Sequence, residues 1–227
     1  LPYVIETIRL LTEEMLQVPL IGFGGAPFTL ASYMIEGGPS KNYNKTRQML
    51  VCRPDIWDAL MEKLTQMTIA YLGAQIKAGA AAIQIFDSWV GAVNRAEYEV
   101  RIFPWMERII GTLKQQYPEV PITMFGVGTG HLLSLWRKLP LDVIGLDWRC
   151  TVAEASGMGI AQTLQGNLDP AYLFADWPII RREIDRILEE GKAHGKHIFN
   201  LGHGVVPEAD PDVLKRITAY VHEVTAK

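Results

Sequence analysis

A few side chains stand where a short apolar run gives way to a loop, and their shared chemistry is that of gripping an acid. His203 lies between Gly202 and Gly204. Flanking glycines let the backbone turn tightly and expose the ring, and an imidazole can donate to a carboxylate or carry a proton near neutral pH. The plain alternative is a loop histidine bonded to its own backbone. Ser88 follows Asp87 at the end of Ala82–Phe86. It has no base beside it and no Gly-x-Ser-x-Gly turn, so it reads as a hydroxyl donor to a substrate carboxylate, compatible with a helix N-cap. Tyr33 carries a phenolic hydroxyl on an apolar body, suited to a partly buried acidic group, with ordinary packing as the alternative. Asp87 and Asp147 invite an acid–base pair, but an Asp just past a strand is more often a cap or a loop hydrogen-bonder. Arg149 is the one basic side chain expected near the same mouth.

Other chemistries fit poorly. Gly126-Val127-Gly128-Thr129-Gly130 lacks the spacing and acidic partner of a dinucleotide loop and reads as structural turning. Asn167-Leu168-Asp169-Pro170 reads as a turn and helix start. His131, His194, His197, His203 and His222 form no His-x-x-x-His pair, and neither Cys52 nor Cys150 stands beside them at ligand spacing, so no metal site is expected. Two cysteines in 227 residues suit a reducing compartment, where both are plain thiols. Lys and Arg number 22 against 25 Asp and Glu, a net charge of −3, which leaves no basic field for nucleic acid. No apolar stretch reaches the roughly 18 residues of a membrane span, and no signal peptide is visible.

The elements that must position these groups alternate in type. Six short apolar runs, Leu20–Phe23, Ala82–Phe86, Ile122–Phe125, Val143–Leu146, Thr163–Gln165 and His197–Leu201, lack strict polar alternation and read as parallel strands buried on both faces. Between them run helical patterns. Pro54 starts a long helix with an apolar stripe of Trp57, Leu60, Leu64, Met67 and Tyr71. Arg95 to Tyr117 is helical with a break or restart at Pro104. Trp177 to His194 is helical, and Asp210-Pro211 caps and opens the last helix. Near the start, Val4, Ile8, Leu11 and Met15 share one helical face. The fold class is α/β. A barrel is favoured over a doubly wound sheet, because several strands end in chemically loaded loops and the phosphate-cradling Gly-x-Gly-x-x-Gly turn is missing. Six of the eight strands of a (β/α)8 barrel can be counted, in one domain over 1–227. The opening Leu1-Pro2, without a Met, leads to the expectation that the chain is part of a longer, N-terminally extended protein.

The run Gly22-Phe23-Gly24-Gly25-Ala26-Pro27-Phe28-Thr29-Leu30, with Tyr33 and Glu36-Gly37 following, resembles the signature of the uroporphyrinogen decarboxylase family. Ile85-Phe86-Asp87-Ser88, Gly145-Leu146-Asp147-Trp148, Leu164 to Pro170 and Asn200-Leu201-Gly202-His203-Gly204 resemble its later blocks, in order. The resemblance implies a (β/α)8 barrel, a cytoplasmic homodimer without metal or organic cofactor, and a tetrapyrrole substrate, uroporphyrinogen III, whose four acetates lose carbon dioxide. It places Tyr33, Ser88 and His203 on the family's substrate-contacting Tyr, Ser/Thr and His. The family's Arg-Gln-Ala-Gly-Arg block, and the Asp that binds the pyrrole NH groups, have no counterpart here. The expectation is that the proton donor lies in that segment, and that these 227 residues alone are inactive and bind substrate poorly. Two other readings share the architecture: a zinc- and cobalamin-linked methyltransferase, which needs His and Cys ligands at strand ends, and a non-catalytic tetrapyrrole-binding module.

Overall fold

The computed structural model describes residues 1–38 and 40–226. They form six strands: β1 (Ile21–Gly25), β2 (Ala82–Phe86), β3 (Ile122–Phe125), β4 (Val143–Gly145), β5 (Thr163–Gln165) and β6 (His197–Ile198). The α-helices are α1 (Pro2–Leu10), α2 (Pro27–Glu36), α3 (Asn44–Cys52), α4 (Pro54–Lys77), α5 (Arg95–Arg101), α6 (Phe103–Gln116), α7 (Leu133–Trp136), α8 (Val152–Gly157), α9 (Trp177–His194) and α10 (Pro211–Thr225). All six strands are parallel and lie in chain order, β1 to β6, in one sheet. A doubly wound sheet reverses its strand order at a switch point. An order that never reverses puts every right-handed crossover on the same face, which is how a barrel wall is built. The chain supplies six units of such a wall.

β1 and β2 are buried on one face rather than two, whereas Ile122, Thr123 and Met124 of β3 and all of β4 are buried at successive positions, as expected for strands covered on both faces. Along β1, Gly22 and Gly24 are buried while Ile21 and Phe23 are about 60% exposed, at 61% and 62%. Ile83 and Ile85 of β2 are buried with the glycines, and Phe86 is exposed with Phe23. At β1 and β2 the helices cover a single face, as the one-sided winding requires. On the other, Phe23, Phe86 and Phe125 form an edge-to-face row with centroids 5.9 and 6.3 Å apart.

Two helical stripes also differ from expectation. On α4 the buried positions are Trp57, Met61, Leu64, Thr65, Thr68, Leu72 and Gln75, whereas Met67 is half exposed. Three polar residues on the buried side hid the true phase. Near the start, α1 passes into a π-turn over Leu11–Met15, with the Leu16 amide bonded to the Leu11 carbonyl at 2.8 Å. The wider turn rotates Met15 away from Ile8, and Met15 is 69% exposed. The break at Pro104 is where it was expected: α5 ends at Arg101 and α6 restarts at Phe103.

Gln75 shows why β1 needs glycine. Among the described residues β1 pairs with β2 alone, which leaves the Phe23 backbone edge without a strand partner. The Gln75 amide fills it: Nε2 donates to the Phe23 carbonyl at 2.8 Å, and Oε1 accepts the Phe23 amide at 3.0 Å. A Cβ on Gly22 would lie 2.7 Å from Gln75 Oε1, and one on Gly24 would lie 3.0 Å from Leu72. Gly24 and Gly25 are therefore strand residues packed under side chains, and they carry β1 two positions beyond the Leu20–Phe23 run expected from the sequence. Replacing Gln75 by Leu leaves both Phe23 groups unpaired, so the expected loss is about 1–3 kcal/mol in urea unfolding. A midpoint equal to wild type would contradict the edge-pairing role.

Candidate active site

Every chemically loaded loop leaves the C-terminal end of a strand, so the loops gather along one rim. The first two are locked together. The Ala26 amide donates to the Phe86 carbonyl at 2.8 Å, and Pro27 then opens α2. In the first turn of α2, Thr29 Oγ1 donates to Asp87 Oδ1 at 2.8 Å and accepts the Trp89 amide at 3.3 Å. One helical turn on, the Tyr33 ring lies 4.0 Å from the Trp89 indole, and Tyr43 lies 4.9 Å from it. Tyr33 and the loop holding Ser88 are thus neighbours. Ser88 does not cap a helix: Asn94 does, accepting the Glu97 amide at 3.0 Å.

On the far side of the rim, Asp147 is buried and ties the loop after β3 to its own loop after β4. It accepts the Gly128 amide at 2.6 Å, the Arg149 amide at 3.2 Å and Arg149 Nη1 at 2.6 Å. The Arg149 guanidinium lies 4.0 Å over the Trp148 ring, and the His203 ring meets Trp148 edge-on at 5.9 Å. A Cβ on Gly202 would stand 2.6 Å from the Trp148 amide, whereas one on Gly204 meets open space. Only Gly202 is required for the close approach. Asn167 Nδ2 donates to the carbonyls of Asp147 and Cys150, and Asp169 caps the turn that follows. Gly128, at φ +68°, serves the turning role read for its glycine cluster.

The structure brings Tyr33 against Trp89, the residue after Ser88, and holds His203 on Trp148, with no hydrogen bond or ring contact joining His203 to Tyr33 or Ser88 among the described residues. Tyr33 Oη, Ser88 Oγ and the His203 ring make no hydrogen bond there either, so all three keep their donors free for a ligand. Tyr33 and His203 are exposed and Ser88 is half-buried. The sequence places Trp89 at the end of the second strand and Thr29 in the opening motif, but it shows neither their contacts nor Tyr43, because these rest on segments distant in the chain. Sequence reasoning also missed Gln84, whose buried Nε2 has no partner on the strand face that carries Phe86. Three other histidines bond within the fold: His131 Nε2 to the Val93 carbonyl, His194 to Ser156 and the Gln162 carbonyl, and His197 Nε2 to the Gly166 carbonyl. Cys52 is exposed at the end of α3. Burial pushes the Cys150 thiol up to about 11, the wrong direction for a metal-binding thiolate. Among the described residues, no three His, Cys, Asp or Glu side chains converge.

A one-sided parallel wall, with chemically loaded loops along its C-terminal rim, defines an α/β protein of barrel type. The family model described as uroporphyrinogen decarboxylase (URO-D) matches residues 1–224, and the chain belongs to that family. It is 59% identical over 226 residues to uroporphyrinogen decarboxylase from Staphylococcus carnosus, and as similar to that of Geobacillus sp. strain WCH70. Each match covers all of this chain and 65% of the relative, so the chain spans just under two thirds of their length. A methyltransferase from Methanosarcina mazei superposes with a TM-score of 0.81 at 18% identity, covering 99% of this chain and 65% of that one. A putative B12-independent methionine synthase from Listeria monocytogenes gives 0.66 at 14%, covering 99% and 70%. At such identities the likeness is one of fold.

Asp87 has a measurable consequence. It is fully buried, Thr29 satisfies only one of its oxygens, and Oδ2 has no partner. Burial outweighs the Thr29 bond and raises its carboxyl from 3.8 to about 7. Between pH 4 and 7 the unfolded chain therefore gives up a proton that the folded one keeps. Stability should fall as pH rises through this window and level off above it, by an amount on the order of a few kcal/mol. Asp87→Asn should flatten that slope in urea midpoints taken from pH 4.5 to 8. An unchanged slope would assign the pH dependence elsewhere.

Proposed function

We propose that this chain carries the greater part of a uroporphyrinogen decarboxylase, a carboxy-lyase working without metal or organic cofactor. In this reading it removes carbon dioxide from the four acetate side chains of uroporphyrinogen III and leaves the methyls of coproporphyrinogen III. The observation that carries the reading is the family match over residues 1–224. The unspent donors of the rim agree with it, because a polycarboxylate needs hydrogen-bond donors that the fold has not already used.

Each residue then has a task. Tyr33 and Ser88 donate to carboxylates on one side of the ring, and His203 donates from the other. Arg149 adds a guanidinium whose charge is partly offset by Asp147, so it orients one carboxylate more than it attracts the whole polyanion. The chemistry needs the pyrrole protonated at the carbon next to the acetate. The ring then accepts the electron pair released as the bond to carbon dioxide breaks, and the resulting carbon takes up a proton to become methyl as the ring proton leaves. A carboxylate near the cationic ring would stabilise it. Asp87 is shut off from the rim by burial and is a tie between loops rather than that group. The proton donor and the Arg-rich clamp belong, in this reading, to a segment outside these 227 residues. The same reading makes the protein a single barrel domain acting as a cytoplasmic homodimer. No described helix is long and apolar enough to cross a membrane.

Anaerobic incubation of the complete gene product with uroporphyrinogen III, followed by oxidation and chromatography of the porphyrins, should yield coproporphyrin. Unaltered substrate would overturn the reading. The isolated 227-residue chain should give only the background rate, and His203→Ala or Ser88→Ala in the complete protein should raise KM about ten- to a hundredfold, the loss of one hydrogen bond to a charged group.

A further inference from the structure

The connection between α2 and α3 carries a ring held at some cost. Tyr43 is the only described non-glycine residue with a positive φ, +50°. An aromatic side chain crowds its own backbone there, so surrounding contacts must outweigh the strain. They are specific. The Tyr43 amide donates to Ser40 Oγ at 3.0 Å. Tyr43 precedes α3 but its side chain does not cap it. Glu36, at the end of α2, does so instead, with Oε1 accepting both the amide and the hydroxyl of Thr46 at 3.0 Å. This contact gives a physical task to the Glu of the Tyr33-to-Gly37 motif, and the Thr46 amide holds its carboxyl below the usual range.

Nothing in the core requires the Tyr43 ring. It is partly buried, lies outside the hydrophobic cluster and packs on Trp89, the same indole that supports Tyr33. Two phenols therefore share one aromatic support, in the loop that follows Ser88. Burial raises the Tyr43 hydroxyl above its ordinary value, and the neighbouring Tyr33 and Glu36 raise it further, so it stays a neutral donor. Its own hydroxyl makes no hydrogen bond among the described residues. Lys41 and Lys45, two positions to either side, are both exposed.

We propose that Tyr43 is a substrate-binding residue, which with Tyr33 forms a two-phenol wall on Trp89 that takes a carboxylate at the edge of the tetrapyrrole, beside the positive charges of Lys41 and Lys45. The inference rests on the tetrapyrrole reading of the rim and adds a contact that the sequence motif does not contain.

The test is a fluorescence titration of the complete gene product with uroporphyrin, alongside steady-state turnover of uroporphyrinogen and thermal melting. Tyr43→Phe keeps the ring and loses the hydroxyl. It should raise the uroporphyrin dissociation constant and KM about three- to tenfold, with kcat and melting temperature unchanged. Tyr43→Asn, which tolerates the left-handed backbone, should weaken binding further without unfolding the protein. If wild type binds uroporphyrin and both variants bind it equally well, the inference fails and the site reading stands. If Tyr43→Asn loses binding and melting temperature together while Tyr43→Phe matches wild type, the residue is structural and the inference also fails. If wild type neither binds nor turns over the porphyrin, the site reading falls and takes the inference with it.

Discussion

The hydrogen bond from Thr29 to Asp87 joins the turn after β1 to the loop after β2 inside a region closed to water. Thr29 also takes the Trp89 amide, so a single hydroxyl sets the spacing of the two loops and of the rings they carry. The arrangement keeps a carboxyl with one unsatisfied oxygen in the interior. Tyr33, Trp89 and Tyr43 stack because these loops cannot drift apart, and Ser88 lies between the buried acid and the indole. Across the rim, Asp147 does the same work with backbone amides and Arg149, and the Trp148 ring positions both the guanidinium and His203. Each side of the mouth is thus built on a buried Asp that spends itself on its own loops, leaving hydroxyls and imidazole free for a ligand.

The two acids differ in how they are satisfied, and their chemistry follows. Asp147 accepts three N–H bonds, one of them from a guanidinium. Asp87 accepts one hydroxyl, with the buried Tyr98 phenol as the titratable neighbour whose own proton its charge helps to hold. Reading the pair as acid and base would have been natural from their identical placement after strands. Burial argues against it, because a proton donor has to reach its substrate.

Much of the scaffold was legible along the chain. The runs Ala82–Phe86, Ile122–Phe125 and Thr163–Gln165 are strands at the expected bounds, Pro104 restarts a helix, and Asp210 caps the last one by accepting the Asp212 amide. These features depend on neighbours within a few residues. The stripe of α4 was misread because Thr65, Thr68 and Gln75 are buried for reasons that a hydrophobic pattern does not carry. Met15 was misplaced because a π-turn changes the phase without any proline or glycine to announce it.

The amino-acid order by itself determined the alternation of strands and helices, the caps, and the identity of the groups at the strand ends, since all of these follow from local sterics and local hydrogen bonding. Folding decided which of those groups meet. Gln75 completes the edge of β1 from 52 residues away, Glu36 caps a helix it does not belong to, and Tyr43 reaches Trp89 through a backbone conformation it would not choose alone. Such contacts form only when a packed core brings distant segments together, because the free energy that holds each one comes from surfaces that are not neighbours along the chain.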